Sequence, residues 1–386
     1  MTIIEANTKA FQEDFLKMPK SIYVDDSNYV EPLYSDVSAV FSSSNKAYKA
    51  EDCIRFLLQK EGQYIGRIAA FVNAKTTKAE GINVGGLGFY ECIDDLEASK
   101  TLFDAAIDWL KAKGIQAVDG PINLGERDKF WGCQINNFTD IPSYNQAYGR
   151  PYYSSQFEAY GFQDYFQQFV FFRDIYIPAQ PIFVRKFNQV MADGSFEVRT
   201  VEGCSVEKIA KDFLTVYNKA WGDSYKNFKP MKLANAIRMV KTMKPIMDPR
   251  IIIFVFKGDE PIAFYVNIPE LNEIFRKTGP NLNLWGKLKF LYYRAITKPE
   301  IMVGLIFGVV KEYQGQGMEG VMIKWVEDNI LHRVPYKYTT LNWIGDFNPK
   351  MLKITERLGA KHHRKFITYR YMIDSSIPFE RHPEVS

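Results

Sequence analysis

The order of the apolar segments constrains this chain most, because it runs twice. In the first half CIRFLLQKEG turns at KEGQ into QYIGRIAAFVNA, an antiparallel pair. VGGLGFYECI then reads as an apolar strand. Asp95 caps a following helix whose Phe103, Ala106, Ile107 and Leu110 recur at helical spacing before Gly114 stops it. IQAVDGP is a short strand, PYYSSQFEAYGF a helix ending at Gly161, and FQQFVFFRDIYI a closing strand. In the second half DFLTVYNKAW and MKLANAIRMVKTM are helical. Ile251–Phe256, the turn GDEP and Ile262–Ile268 then make the hairpin, and IMVGLIFGVV is the long strand. A helix with Met318, Val321, Met322, Trp325, Val326 and Ile330 on its apolar side comes next. YTTLNWI, the helix NPKMLKITERLGA and the strand FITYRYMI close the chain. Hairpin, long strand, helix, strand, helix, strand in both halves predict an α/β (α+β) protein of two similar units. Each unit is a mixed, mostly antiparallel sheet flanked by helices.

The join falls at IPAQPIFVRKFNQVMADGSFEVR, with two prolines and an Asp-Gly turn signal, and predicts units over 1–180 and 195–386. Charge divides at the same place. Residues 1–193 carry 19 Lys+Arg and 25 Asp+Glu, net −6; residues 194–386 carry 30 and 20, net +10, so the overall +4 conceals an acidic half and a basic one. Aromatic residues make up 15% of the chain, enough for large cores or for cores plus an aromatic-lined cleft. The four cysteines form no C-x-x-C pair, so neither a disulfide framework nor a zinc site is indicated and no metal is expected. The segment MTIIEANTKAFQEDFLK lacks the apolar core of a signal peptide, and no run of 18 apolar residues occurs. A cytoplasmic protein without a membrane span is expected. All four histidines lie from His332 onward, which argues against a histidine-based catalytic centre in the first half.

The most chemical segment is VVKEYQGQGMEGVMIKW. An apolar strand runs into a glycine-containing turn that opens a helix. Glycine lets backbone N–H groups approach an anion, and a helix N-terminus adds partial positive charge. A pyrophosphate would fit on the amides of Gly315 to Met318. A tight βα turn with glycine for packing has the same pattern, and the residues alone leave both readings open.

This segment and NWIGDFNPKMLKITERLGA together resemble the GCN5-related acyl-CoA N-acyltransferases, the GNAT family, over about residues 197–375. That family's first motif is Gln/Arg-x-x-Gly-x-Gly/Ala. Gln314 and Gly317 match its first two positions; the third falls on Glu319, with Gly320 next. The second motif is matched by Asn348 and by Leu358–Ala360, and the tyrosine that protonates the departing thiolate falls on Thr355. The resemblance implies acetyl-CoA or a longer acyl-CoA as co-substrate, and an amine of a small molecule or peptide as acceptor that attacks the thioester directly. It places the thioester near the amides of Val309 and Val310. The pyrophosphate falls on Gln314, Gly315, Gln316, Gly317 and Met318, and the pantetheine arm or the acceptor near Asn348. Asp346 is the candidate base. In the first half IGRIAAF, LGFYE, IDD, GIQAVDGPIN and RPYYSSQFEAYGF are similar to segments of an uncharacterised group of bacterial GNAT-like proteins. Yet Asp94, Asp95 and Glu97 stand there where a pyrophosphate needs amides. A degenerate unit that binds no cofactor is expected.

Two other functions stay open: a non-catalytic ligand-binding protein, favoured by Glu319 and Thr355, and an aminoacyl-tRNA-dependent peptidyltransferase. The latter would build a basic groove from Lys226 to Lys244 and from the segment 282–298; no other nucleic-acid role is indicated. Tyr152 and Tyr153, with Phe157, either line an acceptor cleft at the junction of the halves or belong to the core. Gly120-Pro121-Ile122-Asn123 shapes that cleft or is a plain turn. Cys133 has no histidine to activate it and is not expected to be a nucleophile. Asp94 and Asp95 read as a helix cap rather than a metal pair. LNLWGKLKFLYYRAITK (282–298) is expected as an amphipathic helix packed on its unit, with a lipid surface, a partner or an acyl chain as alternatives. His362 and His363, among Lys361, Arg364 and Lys365, are expected on a solvated face, or else at the 3′-phosphate of CoA. Oligomeric state is not legible.

Overall fold

A computed structural model of the protein describes residues 1–73, 81–222 and 229–384. The first half comprises β1 (Thr2–Glu5), α1 (Lys9–Lys17), α2 (Pro19–Ile22), α3 (Tyr34–Val40), β2 (Cys53–Lys60), β3 (Gln63–Phe71), β4 (Val84–Cys92), α4 (Leu96–Ala112), β5 (Ala117–Gly120), β6 (Cys133–Gln134), α5 (Tyr153–Tyr160) and β7 (Gln163–Asp174). A connecting helix, α6 (Pro181–Met191), follows. The second half comprises β8 (Phe196–Thr200), α7 (Val206–Trp221), α8 (Leu233–Met243), β9 (Ile252–Lys257), β10 (Glu260–Pro269), α9 (Asn272–Thr278), α10 (Leu284–Ile296), β11 (Ile301–Val309), α11 (Met318–Asn329), β12 (Tyr338–Gly345), α12 (Pro349–Arg357) and β13 (Lys361–Met372).

Local chemistry accounts for the first-half elements read from sequence. β2 and β3 are joined at Glu61 and Gly62, both with positive φ, the geometry of a tight hairpin turn. Every residue of β4 is buried, which is why it reads as a continuous apolar run. Asp95 caps α4 by accepting from the amides of Glu97 (2.8 Å) and Ala98 (3.1 Å). Ala98, Leu102, Phe103, Ala106, Ile107 and Leu110 of α4 are buried against the sheet.

All strands join one sheet in the order β1-β2-β3-β4-β5-β13-β7-β12-β11-β10-β9-β8, with β6 on the side of β13. Neighbours along this path are antiparallel, apart from the parallel pairs β4–β5 and β11–β12. The order is symmetric about its centre: β1 to β5 on one side match β8 to β12 on the other. The two closing strands are exchanged. Sequence order leads one to expect FQQFVFFRDIYI to close the first sheet and FITYRYMI the second. Instead β13 pairs with β5 of the first half, β7 pairs with β12 of the second, and β7 and β13 pair with each other. Both strands carry apolar residues on both faces, a pattern that says "central" without naming a partner. Arginines lock the exchange. Arg370 of β13 forms a two-point pair with Asp119 of β5 (2.7 and 2.9 Å), and Arg173 of β7 donates to the Leu358 carbonyl at the end of α12 (2.7 Å).

The KHHRKF segment opens β13: Lys361 and His362 are exposed as expected, whereas His363 is half-buried and Arg364 lies inside. Arg364 is buried and donates to the carbonyls of Asp140 and Ile141, while the His363 ring stacks on Phe172. Burial, with Arg364 beside it, lowers the His363 pKa.

Helices cover both faces of the sheet. α4 and α5 lie on one face of the first half and α1–α3 on the other. In the second half α6 and α11 pack on one face and α7 with α8 on the other. The halves also meet away from the strands. Val30 and Leu33 pack on Leu271, Phe275 and Phe290, and the buried Glu270 accepts from the Tyr144 amide (2.9 Å) of the first half. Asn272 donates to the Pro142 carbonyl (2.8 Å).

Burial pushes the Glu270 carboxyl up to about 7, and its second oxygen has no hydrogen-bond partner. The folded chain therefore holds a proton that the unfolded chain releases. The stabilisation is full below the ordinary glutamate value of about 4.3 and is lost as pH rises through about 7. Over that window the effect is on the order of 3 kcal/mol. Thermal denaturation from pH 5 to pH 8 should show Tm falling more steeply in the native protein than in Glu270→Gln. Equal slopes would remove this role from Glu270.

Candidate functional site

β11 and β12 pair only from Ile301 to Gly304 against Tyr338 to Leu341. Beyond that point they part. β12 breaks register between Leu341 and Ile344, with Trp343 at φ 70°, while β11 continues to Val309. The gap opens a cavity of about 290 Å³ between the strands and helices α11 and α12. Its lining is mainly apolar, with Leu305, Ile306, Phe307, Met322, Ile323 and Met351 among its residues. Arg173, Tyr265, Glu319, Thr339, Asn342, Asn348 and Thr355 are its principal polar members. Thr339 Oγ1 and Asn342 Oδ1 are buried there without hydrogen-bond partners, so the wall offers polar positions for a guest to satisfy.

The glycine turn stands at the same end of the sheet. Gly315 and Gly317 have φ of 73° and 86°, conformations that residues with a Cβ rarely adopt. No side chain caps α11, in contrast to α4, whose first amides are already held by Asp95. The first-turn amides of α11 therefore have no side-chain acceptor among the described residues. The glutamines serve the loop itself: Gln314 donates to the Val309 carbonyl (3.0 Å) and Gln316 to the Glu312 carbonyl (2.7 Å). A residue the sequence reading passed over lies here too. The stem of Lys186, from α6, covers Gly317: a Cβ on that glycine would sit 2.9 Å from Lys186 Cγ. Its place on α6, in the segment that joins the two halves, gives no hint in sequence that it meets the turn.

The two valines divide. Val310 donates its N–H to the Ile262 carbonyl of β10 (2.9 Å) and is not free to bind a guest. Alternation along the antiparallel ladder turns the N–H and C=O of Val309 away from β10, toward the parted edge. Met318 is buried in the core as the first residue of α11. Asn348 caps α12 by accepting from the Met351 amide (3.2 Å), and it lines the cavity. Thr355 is fully buried at the wall, its hydroxyl donated to the Leu352 carbonyl (2.7 Å). Asp346 lies off the cavity wall and pairs with Arg381 (2.8 Å), whereas Glu319 is on the wall.

In the first half the matching region is a smaller cavity of about 90 Å³. Buried Glu91 accepts there from Tyr23 (2.7 Å) and Tyr153 (2.8 Å), with Arg67 at 3.6 Å. Burial raises the Glu91 pKa, against the pull of Arg67 and the two hydroxyls. Tyr153 lines this cavity, as do Asn272 and Phe275 of the second half. Tyr152 stands beside Tyr153 and donates to the Cys92 carbonyl (2.9 Å). Cys133 is buried, and burial drives its thiol far above the usual range, which suits an inert residue. Among the described residues no cluster of three or more His, Cys, Asp or Glu has the makings of a metal site. Lys226, proposed for a basic groove, lies outside the described residues.

No family model matches the chain. It is 24% identical to the bacterial ceramide synthase of Caulobacter vibrioides over 375 residues, 96% of this chain and 97% of that one. It is 23% identical to protein YghO of Escherichia coli K12 over 364 residues, 93% and 92% of the two chains. Among solved structures it superposes on a tandem GNAT protein from the clavulanic acid biosynthesis pathway with a TM-score of 0.53 at 10% identity, over 98% of this chain and 99% of that one. With a symmetric sheet of two units, each opening beside a strand–turn–helix, the chain has the two-domain GNAT fold.

Proposed function

We propose that the protein is an acyl-CoA-dependent N-acyltransferase whose donor site lies in the second half. The observation that carries this reading is the parted β11–β12 edge, with an apolar cavity behind it and an uncapped, glycine-opened helix beside it. In this reading Gly315, Gly317 and Met318 offer backbone amides to the pyrophosphate, the Gln316 amide being donated to the Tyr313 carbonyl, and Lys186 adds positive charge. The pantetheine arm and acyl group occupy the cavity, where Asn342 and Thr339 supply unpartnered polar atoms. Val309 donates its N–H to the thioester oxygen as negative charge develops on it. The acceptor nitrogen forms a bond to the carbonyl carbon, the carbon–sulfur bond breaks, and the thiolate leaves with a proton while the amine loses one. Glu319 is better placed than Asp346 to take that amine proton, since Arg381 already holds Asp346. Units over 1–180 and 195–386 remain the division we favour, the first without a donor site because Asp95 fills its helix N-terminus.

The apolar lining suits a fatty acyl chain better than an acetyl group, and a relative named for ceramide synthesis points the same way. We therefore favour a long-chain acyl-CoA as donor and an amphiphilic amine as acceptor. The small cavity around Tyr153 and Glu91 is the acceptor pocket we favour. A non-catalytic acyl-CoA binder is the second reading, because Thr355, an aliphatic alcohol whose hydroxyl is donated to the Leu352 carbonyl, is too weak an acid to protonate the departing thiolate.

The test is calorimetric titration with acetyl-CoA and palmitoyl-CoA, with mass spectrometry of amine products. Palmitoyl-CoA should bind at least about tenfold more tightly, a difference of about 1.4 kcal/mol. Gly317→Asp places a carboxylate where the pyrophosphate would sit and should weaken either ester about a hundredfold or more. Binding that is absent, or unchanged in Gly317→Asp, overturns the donor site. Binding without turnover of any amine favours the second reading.

A further inference from the structure

The outward face of α10 is apolar and has no partner among the described residues. Gly286 and Phe290 point inward, against Leu271, Phe275 and the Val30–Leu33 segment. The opposite sector carries Leu284, Trp285, Leu288, Leu291, Tyr292 and Ile296; Leu284 and Trp285 are each 73% exposed and Tyr292 61%. The sequence pattern led us to expect this helix packed by its apolar side, and the structure turns that side out. The pattern marks an amphipathic helix but not which sector meets the core, and here Gly286, Phe290 and Tyr293, with Arg294 donating to the Met247 carbonyl, make the attachment. At helical spacing the exposed apolar residues span about 140° of the circumference. Lys287 and Arg294 flank that sector on one side and Lys289 on the other, with Trp285 and Tyr292 toward the Lys289 edge.

The surroundings carry one sign of charge. Residues 276–298 include six Lys or Arg and no Asp or Glu. The nearest carboxylates in sequence are engaged: Glu273 accepts from the amides of Glu300 and Ile301, and Glu300 pairs with Lys337. An apolar sector with aromatic residues, fringed by cations on both sides, is complementary to a bilayer surface with anionic headgroups. A second copy of this chain would set like charges against each other along both fringes.

We propose that α10 docks the protein on an anionic lipid bilayer, lying in the plane of the headgroups with Leu284, Leu288 and Leu291 in the acyl boundary. The proposal stands on this surface alone and does not depend on the donor site. The test is vesicle flotation of the full chain with phosphatidylcholine vesicles, with and without about one-third phosphatidylglycerol. The protein should float with the anionic vesicles, and raised salt should weaken the association. Leu288→Glu/Leu291→Glu should reduce it about tenfold or more. Lys287→Glu/Lys289→Glu should reduce it for anionic vesicles only. All these side chains are exposed, and a retained thermal transition will show that both variants fold. Absence of flotation, or flotation unchanged in the leucine variant, overturns the proposal. So does a dimer in sedimentation velocity that the leucine variant abolishes while vesicles bind nothing, since the face then joins two copies. Acyl-CoA titration of the same variants separates a failure here from a failure of the donor site.

Discussion

Deleting residues 361–386 should leave no folded protein, in either half. β13 is the last strand made, yet it fills the gap between β5 and β7. Its removal exposes the edges of both strands and uncovers Phe157 and Phe162, which share a core with Ile367 and Tyr369 of β13. Phe366, Ile367 and Tyr369 are themselves buried, and truncating one side chain of that size costs about 3–5 kcal/mol. Losing three, with two ladders of backbone hydrogen bonds, exceeds the typical stability of about 5–15 kcal/mol of a folded domain. Residues 1–360 expressed alone should be insoluble or lack a cooperative thermal transition. Residues 1–180 and 181–386 should each fail alone and associate when co-expressed. A cooperative transition in either fragment by itself would show that the exchanged strands are dispensable.

Gly88→Ala should cost about 3 kcal/mol or more, at or above the upper end of core overpacking. A Cβ on Gly88 would stand 1.9 Å from the Ile122 carbonyl oxygen, and backbone rather than a flexible side chain would have to move. The chain cannot yield easily, because the Ile122 amide is tied to the Leu87 carbonyl (2.7 Å) of the same strand. Gly315→Ala is the control: nothing lies within 4 Å of its Cβ, and only its positive φ opposes the change, at about 1 kcal/mol. Chemical denaturation of the two variants should separate them by at least about 2 kcal/mol. Equal losses would show that β4 relaxes around the added methyl group.

Much of the fold was legible because periodicity reports burial. Phe103, Ala106, Ile107 and Leu110 announce α4, and the strand–turn–helix at Gln314–Met318 announces the loop, since each signal lies within a few neighbouring residues. The exchange of β7 and β13 was not legible: a strand apolar on both faces carries no mark of its partner. Gly88 could be read as a strand glycine, but its reason lies in Ile122, brought over from beyond β5. Lys186 was hidden for the same reason, in a helix packed across the glycine turn from 130 residues away in sequence. Val309 and Val310 looked equivalent until the ladder showed that one amide was spent. Asp346 looked like a base until Arg381 was found beside it.

The contrast between the two helix N-termini has a consequence for how such a chain changes over time. Asp95 occupies the first amides of α4, while at α11 Gly317 leaves the cap position without a side chain. In a free-standing unit, loss of ligand binding would relax selection on the whole sheet. Here either unit still has to receive one closing strand and lend the other, so its framework would stay under constraint even after its own site had drifted. The exchange makes each unit indispensable to the other's sheet, whatever becomes of either cavity.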